Sequence, residues 1–453
     1  MVVAPPHVSI RGGAEPRREG SKVPKKFLLL AVLILSAALA RAGEDIVLPD
    51  VNATDAFEGA KENVQGTWWN LLWTDELTHP VLSADGSSVA CAMRKGSKWA
   101  VMKDGKVYGS EYDSIGRIVL SADGKSIAFQ GQKGRRFHIV WNGRESTGYT
   151  SCTAPAFSPV DGELAFLAEV EGKKVLFRNG RSAYRKGYDF VSTPVYSSRG
   201  SIAFMANYKG REFMVRDGVR VGGVYRSITD PVFSQSGAVY FGATTENSII
   251  MTREGSIIGY PIRYPPDING KNVEVIKTSP ASESVAYIVR LGEKFLLYRD
   301  GRLLSDDVAA SYCMFAGNSL YYLLRNNEGI YIARDGVPVT RSYPLIIAGS
   351  LSVNAAGKIA FIVRHENGKL SVYVDDKQVG EEYDAVKSIV LTDDGSVFYF
   401  ALIGKAWTAM KDGARIPDAG EYPYVTDFLR TGTRSMVFAA TSGKEIVRKE
   451  INW

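Results

Sequence analysis

The chain has 453 residues, of which 45 are Gly, 23 are Tyr and 11% are aromatic. This composition, with few stretches of helical periodicity, favours a turn-rich all-β protein. Residues 1–42 hold seven of the 55 bases and two of the 49 acids, which leaves residues 43–453 with 48 bases and 47 acids. The remaining net charge of +1 gives no reason to expect nucleic-acid binding.

The first predicted element is an export signal. Two lysines precede a largely apolar run at 27–40, and Ala40-Arg41-Ala42 supplies the small residues that a signal peptidase requires. The run is shorter than the about 20 apolar residues of a spanning helix, so we expect no stable transmembrane anchor. We predict a signal peptide at 1–42 that is cleaved before Gly43.

The export signal also predicts where the protein acts and where its translation starts. Residues 1–22 do not resemble the start of a signal peptide, and Val23 is therefore a candidate initiation site. A cleaved signal places the mature chain in the periplasm or elsewhere outside the cytoplasm.

The next segment, 43–79, contains the stretch VQGTWWNLLW at 64–73, which is apolar on every face. We interpret it as a strand buried between neighbouring sheets. The alternative is an exposed aromatic patch for a partner. In both cases the residues concerned are Trp68, Trp69 and Trp73.

One phrase recurs about ten times from residue 80 onward, mostly at intervals of 37–39 residues. Each copy is a turn sequence followed by an apolar run, such as SIAF at 126–129, which is typical of a short strand. The turn sequences are LSADG (82–86), LSADG (120–124), FSPVDG (157–162), YSSRG (196–200), FSQSG (233–237), TSPASE (278–283), FAGNS (315–319), VNAAG (353–357), LTDDG (391–395) and LRTGT (429–433).

A second phrase, centred on Asp-Gly or Asn-Gly, runs in step with the first, for example in VMKDGKVYGSEYDSI at 101–115. These dipeptides predict tight hairpins because Gly and Asn accept positive φ angles. Each repeat then holds four antiparallel strands. Strand A precedes the first turn, B is the apolar run, C ends at the second turn, and D runs to a Tyr. About ten such repeats of about 38 residues predict a β-propeller over 80–453.

The strings LSADGKSIAF and FSPVDGELAF resemble the WD40-like propeller repeat of TolB-type proteins, whose pattern is S-P-D-G-K-x-I-A-[FY]. The resemblance covers about residues 80–450 and implies an extracytoplasmic propeller that acts by holding partners. TolB itself has an α/β domain ahead of a six-bladed ring, whereas this chain has about ten repeats and only a short segment before them. The resemblance is therefore one of architecture, and it carries no catalytic residues.

The repeats close either as one large ring or as two five-bladed rings. We favour one ring, because the last repeat stops after strand C and the segment at 64–73 supplies a candidate closing strand. Without such closure an unpaired sheet edge would promote aggregation. The alternative of two rings places their boundary in the insertion near 260–273.

The tips between strands B and C are the candidate binding site. In a propeller they share one face with the D–A turns, and the ten tips carry 17 bases and 7 acids. Lys and Arg at hairpin tips ordinarily discourage sheet aggregation. The functional interpretation is a basic arc that attracts an anionic partner. Its candidate residues are Arg94, Lys95, Lys98, Lys133, Arg135, Arg136, Lys209 and Arg211.

Signatures of catalysis and metal binding are lacking in the sequence. It has no G-x-S-x-G elbow, no Gly-rich phosphate loop and no H-E-x-x-H motif. Four His lack zinc-ligand spacing, three Cys do not make a disulfide framework, and the repeated Asp residues lack calcium-loop spacing. Near the inner strands the carboxylates are sparse, namely Asp230, Glu274 and Asp427. We therefore expect no catalytic residue, no cofactor and no metal.

These observations together predict an exported, non-enzymatic β-propeller, and we expect it to be a monomer. It would scaffold an envelope protein or an anionic polymer of the bacterial cell envelope. The alternative is a propeller enzyme or a sugar-binding module with its site at the channel mouth. That alternative predicts Asp, Glu, His or Tyr side chains converging there.

Overall fold

The computed structural model describes residues 51–53, 63–70, 76–77, 80–183, 187–263, 273–442 and 445–453. These residues form ten antiparallel sheets in a single ring, a ten-bladed β-propeller, and contain no helix. The all-β fold and the single ring are thus confirmed, and the alternative of two five-bladed rings is wrong. The predicted signal peptide and Trp73 lie outside the described residues.

The N-terminal segment and the first five blades supply the strands β1 to β25. In chain order these strands are β1 (Val51–Ala53) and β2 (Asn63–Asn70); in blade 1, β3 (Glu76–Leu77), β4 (Val81–Leu82), β5 (Val89–Lys95), β6 (Lys98–Lys103) and β7 (Lys106–Val107); in blade 2, β8 (Ser114–Leu120), β9 (Ile127–Lys133), β10 (Arg136–Trp141) and β11 (Arg144–Glu145); in blade 3, β12 (Ala156–Phe157), β13 (Leu164–Val170), β14 (Lys173–Arg178) and β15 (Arg181–Ser182); in blade 4, β16 (Phe190–Val191), β17 (Val195–Tyr196), β18 (Ile202–Tyr208), β19 (Arg211–Arg216) and β20 (Val219–Tyr225); and in blade 5, β21 (Ser227–Ile228), β22 (Val232–Phe233), β23 (Val239–Thr244), β24 (Ser248–Arg253) and β25 (Ser256–Arg263).

The remaining five blades supply the strands β26 to β47. These strands are, in blade 6, β26 (Val273–Thr278), β27 (Val285–Leu291), β28 (Lys294–Arg299) and β29 (Arg302–Ser305); in blade 7, β30 (Val308–Ala316), β31 (Ser319–Asn326), β32 (Gly329–Arg334) and β33 (Val337–Pro338); in blade 8, β34 (Leu345–Ile346), β35 (Ser352–Val353), β36 (Ile359–Arg364), β37 (Leu370–Val374) and β38 (Lys377–Tyr383); in blade 9, β39 (Val386–Leu391), β40 (Val397–Ile403), β41 (Ala406–Lys411), β42 (Ala414–Arg415) and β43 (Glu421–Tyr422); and in blade 10, β44 (Tyr424–Val425), β45 (Leu429–Arg430), β46 (Ser435–Ser442) and β47 (Glu445–Asn452).

The inner strand A is interrupted in several blades, where two short strands pair with the same strand B. Proline stands directly before the second piece in blades 1, 4 and 5, at Pro80, Pro194 and Pro231. A missing N–H is tolerated there because the strand is only beginning.

The Ser of the first repeated phrase closes the A–B turn. In blade 1 the Ser83 Oγ donates to Asp85 Oδ1 at 2.6 Å and accepts the backbone N–H of Ser88 at 3.0 Å. A buried hydroxyl therefore satisfies a buried backbone donor, as buried polar groups require. The equivalent buried side chains in other blades are Ser121, Ser158, Ser197, Ser234, Ser279, Asn354 and Thr392.

The Asp, Asn or Glu of the second phrase bonds the C–D turn to the start of strand B. In blade 7 the Asp335 Oδ1 accepts the N–H of Leu320 at 2.9 Å, while the Asp335 N–H donates to the Leu320 carbonyl at 2.9 Å. Asp335 has a φ of 49°, which Asp and Asn tolerate better than most residues. The same pair of bonds recurs at Asp104, Asn142, Asn179, Asp217, Glu254, Asp300, Asp375 and Asp412.

Aromatic pairs join neighbouring blades. The Tyr at the end of one strand D packs against the Phe of strand B in the next blade, with ring centroids 5.3–6.5 Å apart. Such tilted and edge-to-face pairs stabilise a core beyond the area that they bury. The pairs are Tyr112–Phe129, Tyr149–Phe166, Tyr188–Phe204, Tyr225–Phe241, Tyr343–Phe361 and Tyr422–Phe438.

Residues from both ends of the chain close the ring. Strand β2 pairs with β47 over its whole length, so it is the outer neighbour of strand C in blade 10, and β1 pairs with β2 beyond it. Blade 10 in turn packs on blade 1, where Arg448 Nε donates to the Gly86 carbonyl at 2.5 Å. Cys91 of blade 1 shares a hydrophobic cluster with Ile446 of blade 10.

Candidate binding face

The B–C tips and the D–A turns lie on one face of the ring. At the tip of blade 2 the Gly134 N–H donates to Asp113 Oδ2, in the preceding D–A turn, at 2.6 Å. At the tip of blade 4 the Lys209 N–H donates to Asp189 Oδ2 at 2.7 Å. We call this side of the ring the B–C face.

All eight predicted cations lie at B–C hairpins of this face. They belong to blades 1, 2 and 4. Their positions are Arg94 and Lys95 at the end of β5, Lys98 at the start of β6, Lys133 at the end of β9, Arg135 in the next turn, Arg136 at the start of β10, Lys209 in a turn, and Arg211 at the start of β19.

Three of these cations are paired with carboxylates. Lys98 Nζ lies 2.6 Å from Asp113 Oδ1, and Arg211 Nη1 lies 3.1 Å from Glu246 Oε1. Lys133 Nζ lies 2.7 Å from Glu145 Oε2. Asp113 lies in a D–A turn and Glu145 on strand D, whereas Glu246 lies at the B–C tip of blade 5. Counting tip residues alone therefore overstated the free positive charge of the face.

Glu145 is the centre of a small network in blade 2. It accepts hydrogen bonds from Lys133 Nζ and, at 2.6 Å, from the Tyr112 hydroxyl of blade 1. Burial favours a raised pKa for Glu145, but the hydrogen bonds from Lys133 and Tyr112 outweigh it and hold the pKa below its usual range. Burial, and then the bond to Glu145, raise the pKa of Tyr112. Lys133 thus has a structural role between blades.

Arg135 and Arg136 differ from these paired cations. Both are exposed at the tip of blade 2. Within the described ranges neither has a hydrogen bond, an ion pair or a ring contact through its side chain. Their guanidinium groups are therefore available for an external carboxylate, sulfate or phosphate group, which Arg binds through two parallel N–H groups.

A groove of about 860 Å³ lies beside the tip of blade 4. Its walls include Lys209 and Arg211, together with Phe213 and Val215 of strand β19. Arg220 of strand β20 lines the groove at its other end, next to the C–D turn. Arg220 was not predicted from the sequence, because only the B–C tips were expected to form the site. The position of Arg220 beside the Asp-Gly turn gave no signal of a site.

A second cavity, of about 480 Å³, lies against the inner strands of blades 5 to 7. It brings together Asp230, Glu274, Lys277 and Tyr312. Burial raises the pKa of Tyr312 to about 12. Asp427, the third inner carboxylate, is far along the chain in blade 10 and does not line this cavity.

The tryptophan cluster is described in part. Trp68 and Trp69 lie on β2, opposite Val447 and Ile446 of β47. Trp73 lies outside the described residues. The backbone of this segment is therefore part of the sheet of blade 10, and its role as a partner-binding patch stays a prediction.

The described part of the chain shows neither a metal centre nor a helix that could span a membrane. There, no group of three or more His, Cys, Asp or Glu side chains is arranged to hold a metal ion. Cys91, Cys152 and Cys313 are free thiols. Nor do residues 51–453, apart from their undescribed gaps, contain a helix of the length and hydropathy needed to span a bilayer.

The chain matches no protein-family model and no curated protein. Among solved structures it is similar to TolB from Acinetobacter baumannii, with 18% identity and a TM-score of 0.28, over 51% of this chain and 63% of that one. It thus spans somewhat less than two thirds of the TolB chain.

Other similar structures have mixed functions. The WD40 domain of SCAP from fission yeast is 9% identical, with a TM-score of 0.34, over 84% of this chain and 95% of that one. The acylaminoacyl peptidase of Pyrococcus horikoshii is 12% identical, with a TM-score of 0.30, over 64% of this chain and 58% of that one. These values carry no argument about activity, and the propeller assignment rests on the strand pairing.

Proposed function

We propose that this protein is an exported, non-enzymatic propeller that binds an acidic protein surface in the bacterial cell envelope, with an anionic envelope polymer as the competing partner. The observation that carries the proposal is the pair of exposed side chains of Arg135 and Arg136, which form no ion pair within the described ranges. The export signal predicted at 1–42 supports a periplasmic location, and the absence of catalytic sequence motifs supports a binding role.

The physical argument is electrostatic. Charged groups that are already paired within a protein contribute little to attracting a partner, whereas unpaired charges on one face steer an oppositely charged surface toward it. Arg135 and Arg136 are adjacent, and Lys209 lies on the same face two blades away. We therefore place the partner on the B–C face of blades 2 to 4.

A pull-down from envelope extract tests this proposal. The double variant Arg135→Glu/Arg136→Glu reverses two unpaired charges and is expected to lower partner recovery by about tenfold at low salt. The matched control is Arg144→Glu/Arg181→Glu, which makes the same charge change at exposed, unpaired positions on strand D. Equal recovery with the first variant and the wild-type protein contradicts the proposal. Recovery of a polysaccharide instead of a protein identifies the competing partner.

The inner cavity supports a second candidate function, a sugar-binding or enzymatic site in the channel. Asp230, Glu274 and Tyr312 bring hydrogen-bond acceptors and an aromatic ring to one cavity, as polyhydroxylated ligands require. Glu274 Oε1 also lies 3.7 Å from Arg290 Nη1. Saturation-transfer NMR with a mixture of envelope-derived oligosaccharides tests this site. Signals that persist in Asp230→Asn/Glu274→Gln reject it.

A further inference from the structure

The groove of blade 4 combines apolar residues with basic residues. Val219 is 67% exposed and Val224 is 45% exposed, and both line the groove beside the half-buried ring of Phe213. Tyr208, which is 45% exposed, lines the groove at its end near the B–C turn. Apolar side chains that are exposed together at a concave site mark places where a partner covers them.

The charges around the groove are distributed unevenly. Arg211 is paired with Glu246, but in the part of the chain that the structure describes Lys209 and Arg220 form no ion pair with a carboxylate. Lys209 Nζ instead lies 5.4 Å above the Tyr208 ring. The nearby Asp189 is already bonded to Lys173 and to the Lys209 N–H. The groove therefore has one cation without an ion pair at each end, Lys209 beside the B–C turn and Arg220 beside the C–D turn, with apolar residues between them.

We propose that this groove binds a short acidic peptide segment through one apolar side chain that enters it. This inference rests on the proposed function. Of the two partner classes named there, the apolar residues of the groove favour the acidic protein segment over the polymer. A carboxylated polysaccharide satisfies Lys209 and Arg220 but leaves Val219 and Phe213 facing water. A peptide with a Leu or Phe between acidic residues satisfies both, because the apolar side chain is buried while its neighbours pair with the cations.

Fluorescence anisotropy of the full-length protein tests the groove. The probe is the fluorescein-labelled peptide Glu-Asp-Glu-Leu-Phe-Glu-Asp-Glu, and its analogue carries Ser-Ser in place of Leu-Phe. We expect the analogue to bind at least about tenfold more weakly, because it buries no apolar side chain. Lys209→Glu/Arg220→Glu is expected to weaken binding of the Leu-Phe peptide by about tenfold or more.

Two controls separate charge, apolar contact and folding. Arg144→Glu/Arg181→Glu has the same charge change away from the groove, so it leaves binding within about twofold of the wild-type protein. Val219→Ser changes an exposed side chain with little effect on folding. It should weaken binding of the Leu-Phe peptide and leave the weak binding of the Ser-Ser peptide unchanged.

Equal affinity for the two peptides overturns the inference, as does an equal loss in the control variant. The inference and the proposed function fail separately. If Arg135→Glu/Arg136→Glu abolishes the pull-down while Lys209→Glu/Arg220→Glu leaves it intact, the binding face stands and the groove is rejected. If peptide binding depends on the groove but charge reversal at Arg135 and Arg136 does not change the pull-down, the groove stands. The proposed contact through Arg135 and Arg136 is then rejected.

Discussion

At the residue scale, single polar side chains decide whether each turn of the propeller closes. In the A–B turn of blade 2, the Ser121 Oγ donates to Asp123 Oδ1 at 2.7 Å and accepts the Ser126 N–H at 2.9 Å. The hydrogen bond from Ser121, followed by the one from the Lys125 backbone N–H, lowers the pKa of Asp123 to about 2. The carboxylate is thus stabilised by neighbours that the unfolded chain does not hold in place.

This arrangement predicts a pH dependence. Because the pKa of Asp123 is lower in the folded than in the unfolded state, its stabilising effect is present above about pH 4 and is lost as the pH falls toward 2. The variant Ser121→Ala removes the main cause, so the pKa of Asp123 should rise toward its ordinary value. A carboxyl carbon NMR titration measures this change. An Asp123 pKa that stays near 2 in the variant contradicts the prediction.

The charged residues of the B–C face show which features of a binding site can be predicted from single positions in the sequence. Sequence spacing correctly located Lys98 and Lys133 at B–C hairpins, because hairpin tips follow from local turn signals. It did not reveal their partners, since Asp113 and Glu145 are 15 and 12 residues away and meet them only across paired strands.

At the scale of the elements, neighbouring blades approach each other most closely where two glycines meet. Gly222 of β20 lies against Gly255 in the C–D turn of the next blade, and Gly259 meets Gly301 in the same way. A Cβ atom built on Gly222 would lie 2.8 Å from the Gly255 Cα. Gly222 also has a φ of 74°, so both the space and the backbone angle require glycine.

Gly222→Ala is therefore expected to destabilise the fold by two separate effects. The positive φ costs about 1–2 kcal/mol for a residue with a Cβ. The contact with Gly255 adds about 1–3 kcal/mol, because backbone atoms must shift to make room. Urea denaturation measures the free energy of unfolding.

The control for this prediction is Gly172→Ala. Gly172 has nearly the same φ, 75°, but a Cβ there meets nothing within 4 Å. It therefore reports the cost of the backbone angle alone. Equal losses of stability in the two variants would show that the blades separate enough to accept the extra methyl group.

At the scale of the whole molecule, stability depends on joining the two ends of the described chain. Strand β2 is paired on both sides, with β47 and with β1, so it is an interior strand of blade 10. Strands β46 and β47 of the same sheet pack in turn on blade 1. Strand β2 covers the outer edge of β47, an edge that would otherwise be free for edge-to-edge association.

The variant Thr67→Pro tests ring closure. Thr67 lies opposite Arg448 in β47 and Asn52 in β1, and proline removes its backbone N–H from the interior of the sheet. We expect unfolding at a lower urea concentration and a larger oligomeric fraction in light scattering. Thr67→Ala keeps the N–H and serves as the control. If both variants behave alike, β2 contributes little to closing the ring.

The sequence by itself determined the repeating unit. Turn residues such as Asp335 and Ser83, and the apolar runs of strand B, act over fewer than 40 residues, so their spacing predicted four strands per blade. The second repeated phrase, which in blade 1 contains Tyr112, also recurs because its turn and strand act within one repeat. The propeller fold could therefore be predicted from local patterns alone.

Only the tertiary structure decided the number of rings and the free charges of the B–C face. Ring closure joins Gly86 to Arg448 across 362 residues, and no local pattern encodes a contact at that distance. Likewise, the pairing of Lys98 and the availability of Arg135 depend on which acids the D–A turns bring to the same face. Hydrogen bonds and ion pairs require atoms within a few ångströms, and only folding sets those distances.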